Sequence, residues 1–174
     1  VCKALDTAGY LTGLLGAGVD PLYLPALLFG LAALVAFATG SSWSTMMILL
    51  PLVVALAFQL GAGTAVGGHV LMLMSIGAVL EGSIFGDHCS PISDTTVLSS
   101  ISSAADHMDH VRTQAPYAIL TMAAALAFGY LPVARGWWPA WAGLLLALGF
   151  LGTWMVLVGR RAGDEEEPIE PTSA

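Results

Sequence analysis

Apolar residues run along this chain in blocks as long as a bilayer is thick, and polar residues crowd into the gaps between them. Pro21 opens the first block, at a helix position where a missing amide costs little. Residues 22–39 are then apolar almost throughout. The run Gly40-Ser41-Ser42-Trp43-Ser44-Thr45 interrupts the pattern before residues 46–60 resume it, with Pro51 inside. Residues 22–60 therefore form either one broken helix or two spans around a tight turn. Lys3 favours the broken helix, because only that path leaves it on the same side as Arg160 and Arg161. Four glycines in residues 61–68 predict a turn. Residues 70–85 predict the next helix, broken at Gly86-Asp87-His88-Cys89-Ser90-Pro91, since the Pro91 ring would clash with a preceding helical turn. Ser93 or Asp94 can cap a further half-helix that runs to about Ala105. Residues 106–114 read as a polar connection, and residues 115–131 and 138–158 as two plain spans.

Composition agrees with a membrane chain. Hydrophobic residues make up 57% and charged residues 10%, with a mean hydropathy of +0.82, against about 25% charged in a soluble domain. No Asp, Glu, Lys or Arg lies between Asp20 and Glu81, between Arg112 and Arg135, or between Arg135 and Arg160. The expected fold is an all-α polytopic membrane protein with discontinuous transmembrane helices, one half of an inverted-repeat transporter. Its expected divisions are an interfacial or re-entrant segment (1–20), a core transport region with two broken helices (21–105), a polar connection with two plain helices (106–159) and a disordered acidic tail (160–174).

Of the net charge of −7, residues 163–174 carry −5, from Asp164, Glu165, Glu166, Glu167 and Glu170. No basic stripe suits nucleic acid. The partners expected are the lipid bilayer and monovalent cations, with a homo-oligomer left open. Cys2 and Cys89 cannot make a disulfide scaffold. Val1 is not an initiator methionine, so the chain reads as the later part of a longer protein, which would supply a missing N-terminal half. Arg160 and Arg161, directly after the last span, place the C-terminus in the cytoplasm of a multi-pass inner or plasma membrane protein and put Arg135 outside. Trp137, Trp138, Pro139 and Trp141 suit an aromatic belt there.

The chemistry lies in the two interruptions. Ionisable groups at membrane depth normally face the protein interior or a water-filled cavity and mark an ion pathway. The first interruption offers the neutral oxygens of Ser41, Ser42 and Thr45; the second adds Asp87, Ser90, Asp94, Thr95 and Thr96. Asp87, after the C-terminal end of one helix, meets partial negative charge that disfavours its ionised form, whereas Asp94 begins the next helix, where ionisation is favoured. Asp87 is thus the expected residue that alternates between a proton and a hard cation, with Asp94 as cap and second ligand. Glu81 and His88 are candidate proton relays. His107 and His110, near Asp106 and Asp109, have metal-like spacing and would suit a pH sensor, but the preferred reading is a solvated cytoplasmic turn.

The segments Phe37-Ala38-Thr39-Gly40-Ser41-Ser42-Trp43-Ser44-Thr45-Met46 and Phe85-Gly86-Asp87-His88-Cys89-Ser90-Pro91-Ile92-Ser93-Asp94-Thr95-Thr96 together resemble the paired signature of the NhaC-type Na+/H+ antiporter family. The resemblance covers residues 5–131, and its second motif is the more specific. It implies a secondary transporter exchanging Na+ for H+, with no cofactor beyond the transported ions. His88-Cys89 departs from the pairs found in relatives. Three other functions stay open at this point, one of them a non-transporting membrane assembly subunit, which would tolerate neutralisation of Asp87. A cation-coupled transporter of organic acids or amino acids would share the fold, and an intramembrane metal enzyme could use Asp87, His88, Cys89 and Asp94 as ligands.

Overall fold

The computed structural model describes residues 20–158 and, over them, only helices and connecting turns. A 3-10 turn at Pro21–Tyr23 leads into α1 (Leu24–Thr39), followed by α2 (Ser42–Gly61), α3 (Gly68–Cys89), α4 (Asp94–Ser102), α5 (His107–Ala124) and α6 (Ala140–Val158). A π-helical turn, Ala125–Tyr130, and a short helix, Leu131–Ala134, extend α5. Five of these segments are long and apolar enough to cross a membrane: Pro21–Thr39, Ser42–Gly61, Gly68–Cys89, His107–Ala134 and Ala140–Val158.

The first interruption is a reversal and not a break within one helix, which corrects the preferred sequence reading. Gly40 has φ +66°, the left-handed cap that ends α1, and Ser41 caps α2 by accepting from the Ser44 N–H at 3.4 Å. The chain then doubles back, so that Pro21 and Leu24 share an apolar cavity with Leu56 and Leu60. The criterion that misled was Lys3, which lies outside the described residues, as do the expected interfacial segment 1–20, apart from Asp20, and the acidic tail.

α3 is the centre of the molecule. Gly82 and Gly86, one turn apart, sit against the backbones of Phe29 and Ala33 of α1, so α1 and α3 run parallel in close contact. Small residues permit such an approach between apolar helices. α2 is antiparallel to α3, because Gly61 abuts Gly68 at one end while Ser42 meets Asp87 at the other. Leu28, Phe29, Ala32, Val53, Leu56, Leu71, Ala78 and Val79 form the buried core of this trio.

Three further boundaries differ from expectation. α3 continues through Asp87 to Cys89, and the break is Ser90–Ser93, since a Pro disturbs the helix before it only once its own ring must be accommodated. Residues 107–114 are the first turns of α5 and not a connection, because Asp106 caps that helix by accepting from the Met108 and Asp109 N–H groups at 2.9 and 3.0 Å. Nor is this span plain, since it carries the π turn ahead of Pro132. α6 packs lightly, with Gly143 its one buried residue; the Cβ position of Gly143 lies 2.5 Å from the Phe128 carbonyl oxygen. Arg135 lies over the rings of Tyr23, at 4.5 Å, and Trp137, at 5.7 Å, which fixes the start of α1 and the end of α5 on one side.

Candidate functional site

The hairpin tip between α1 and α2 meets the break between α3 and α4. The Ser90 hydroxyl donates to the Phe37 carbonyl at 2.8 Å, and the Cβ position of Gly40 lies 2.7 Å from the Ile92 carbonyl oxygen. Only a glycine allows that approach in the left-handed conformation. Both interruptions thus come together, as a shared site requires.

Asp87 is the focus. It lies in the last turn of α3, 5% exposed, with hydroxyls on three sides. Ser93 Oγ donates to Asp87 Oδ1 at 2.8 Å, while Thr95 Oγ1 and Ser42 Oγ donate to Oδ2 at 3.3 and 3.4 Å. Ser93 and Thr95 are also 2.8 Å apart through their hydroxyls. No Lys or Arg stands beside this carboxylate among the described residues, where the one ion pair is Arg112 with Asp109. A cleft of about 320 Å³ opens on it, bordered by Ser42, His88, Thr95, Thr96, His110 and Gln114. Carboxylate and hydroxyl oxygens with no fixed cation make a set that a hard monocation or a proton can complete.

The other expected residues divide. Ser41 caps α2, and Thr45, buried, donates to the Ser41 carbonyl at 3.0 Å, so both build the tip and do not reach Asp87. Ser90 ties the break to α1. Thr96 is buried and lines the cleft. Asp94 begins α4 as expected, but it is exposed and accepts from the Thr95 N–H at 2.8 Å. His88 is exposed at the cleft rim; its Nδ1 lies 3.1 Å from the Ile84 carbonyl, which can only accept, so that nitrogen carries the proton. Glu81 faces a different cavity, where Tyr130 donates to it at 2.7 Å.

Sequence reasoning missed Ser93 as more than a cap. It missed the link from α5 as well: His107 Nε2 lies 2.7 Å from the Pro91 carbonyl, and Ser100 Oγ contacts Nδ1 of His107 and of His110 at 3.1 and 2.8 Å. These imidazoles pin the break to the start of α5 and are not a solvated turn. Among the described residues no group of three or more His, Cys, Asp or Glu side chains is placed to hold a metal ion.

Comparison with known proteins places this geometry in context. The sequence profile of the Na+/H+ antiporter family matches residues 1–134. An uncharacterized protein of Haemophilus influenzae is 43% identical over 129 residues, 74% of this chain and 23% of that protein. An uncharacterized Na+/H+ antiporter of the same organism is 33% identical over 115 residues, 64% of this chain and 23% of its own. The arginine/ornithine antiporter ArcD of Halobacterium salinarum is 40% identical over 110 residues, 59% and 20% of the two chains. The chain therefore matches less than a quarter of the length of each of these relatives. No solved structure matches it.

Proposed function

The chain belongs to the Na+/H+ antiporter family, and from that premise we propose that the protein it forms part of exchanges Na+ for H+ at Asp87. Family and relatives point to a multi-pass membrane antiporter rather than an enzyme. The observation that carries the finer reading is the buried Asp87 carboxylate, ringed by Ser93, Thr95 and Ser42 where the hairpin tip meets the helix break. Either a proton or a sodium ion neutralises it, and the two compete because they need the same oxygen. The hydroxyls of Ser42, Ser93 and Thr95 turn their lone pairs to the cation when it binds, replacing part of its hydration shell.

The NhaC-type subgroup, the missing half and the orientation belong to the same proposal. With Arg160 and Arg161 cytoplasmic, α6 ends inside and α5 begins inside, so the Asp87 cleft opens toward the cytoplasm. The test uses the full-length protein in acid-loaded vesicles carrying a pH-sensitive dye. Addition of Na+ dequenches the dye if the reading is right. Silence toward Na+, Li+ and K+, with a response to arginine or another amino acid, would replace it by cation-coupled amino acid exchange, the reading that the ArcD relative favours.

A further inference from the structure

Glu81 is the other acid of α3 besides Asp87, and the exchange site does not use it. It lies six residues before Asp87 on α3, which places it ~9 Å away along the helix axis. One sodium ion, held by oxygens at about 2.5 Å, cannot touch both carboxylates. Its hydrogen-bond partner comes from another helix, Tyr130 Oη at 2.7 Å. Tyr130 ends the π turn of α5 and packs on Phe29 of α1, with ring centroids 5.6 Å apart. Such turns occur frequently at functional sites.

The cavities place Glu81 on a route. On one side it lines a cleft of about 490 Å³ between α3 and α5, and on the other a cavity of about 300 Å³ bounded by Met74, Tyr130, Ala140 and Leu144. The larger cleft shares Ile84, His88 and Gln114 with the cleft over Asp87. Three adjoining spaces thus run from the helix break to the start of α6, and Glu81 stands where the second meets the third. Around it α5 offers Tyr117 and Tyr130 and α3 offers His88, while α1 and α6 present no titratable group to these cavities. Gln114 and the unbonded Nε2 of His88 are polar atoms at the junction.

We propose that Glu81 and Tyr130 form a second protonation station, distinct from the cation site and connected to it through the His88–Gln114 junction. The inference rests on the exchange reading above. Glu81 binds a proton as a carboxyl group and gives it up as a carboxylate held by the Tyr130 hydroxyl; no other bond changes. Asp87 then carries the cation while Glu81 sets the proton supply and its pH dependence.

The test is made on the full-length transporter in liposomes, with two readouts: proton-coupled Na+ uptake, and radioactive Na+ counterflow at fixed symmetrical pH. Glu81→Gln should cut proton-coupled uptake by about a hundredfold, with counterflow continuing at a measurable rate. Coupled uptake with an unchanged pH profile would overturn the station. So would loss of both activities in a variant that inserts and purifies normally, because Glu81 would then belong to the cation site. Should Glu81→Gln fail to insert, Tyr130→Phe decides the matter. Tyr130→Phe removes the hydroxyl that donates to the Glu81 carboxylate, so the pH profile of uptake should shift. No movement would overturn the proposal. Asp87→Asn is the control for the underlying reading: undiminished counterflow there would sink the cation site itself, whatever Glu81 does.

Discussion

The two interruptions look alike in sequence, each a Gly and Ser/Thr cluster between apolar runs, yet they do different work. At the hairpin tip, Thr39 donates to the Val35 carbonyl, Ser41 caps α2 and Thr45 donates to the Ser41 carbonyl, so its oxygens are occupied in reversing the chain and only Ser42 reaches across. At the break, Ser93 and Thr95 turn away from their own backbone toward Asp87. A helix end can satisfy its orphan amides with side-chain oxygens or leave those oxygens for a ligand. Ser93 stands at the N-cap position of α4 without making the side-chain cap bond. On the proposed reading, that omission leaves the Ser93 hydroxyl free to serve the cation site, whereas the tip oxygens serve the turn.

The largest expected effect comes from removing the charge on which the break converges. Asp87→Asn keeps the shape but can neither hold an exchangeable proton nor neutralise a cation, and Na+-dependent dequenching should fall to the level of empty vesicles while insertion is retained. Normal exchange by this variant would reduce the break to a second structural turn. Next comes Gly40→Ala at the tip. The added methyl meets the Ile92 carbonyl and the left-handed φ is unfavourable, which together should cost about 2 to 4 kcal/mol of stability. Thermal unfolding in detergent should show a lowered midpoint, with Na+ affinity reduced because Ser42 is drawn away from Asp87. An unchanged affinity would mean the tip contributes scaffold alone.

The division between these regions was only partly legible in the sequence. Spacing of charges located the spans, and Pro91 located the break, because both follow from what hydrocarbon and a helix exclude. Whether residues 22–60 reverse or continue was decided by the φ of Gly40, a property that glycine permits but does not announce. The helix after residue 85 ran one turn longer than Gly86 suggested, since that glycine serves contact with Ala33 rather than termination. Partners far apart in sequence were invisible: Tyr130 for Glu81, and His107 for the Pro91 carbonyl, 16 residues away. Side-chain periodicity reports which face is apolar, and says nothing of which polar group on another helix will meet it.

The smallest expected effect sharpens the contrast within the break itself. Asp94 is the second carboxylate of the motif, and its position at the start of α4 made it a candidate ligand; in the fold it is exposed and accepts from the Thr95 N–H. Asp94→Asn keeps an accepting oxygen at that place and forfeits only the favourable charge at a helix N-terminus, about 0.3 to 1 kcal/mol. Na+ affinity should therefore change by no more than about fivefold. Ser93→Ala removes the 2.8 Å bond to Asp87 itself, a hydrogen bond to a charged group worth about 1.5 to 3 kcal/mol, and should weaken Na+ binding by about 10- to 100-fold. Affinity measured from the Na+ dependence of dequenching orders the two variants. If Asp94→Asn proves the more damaging, Asp94 must turn inward to bind the cation, and Ser93 reverts to a helix cap.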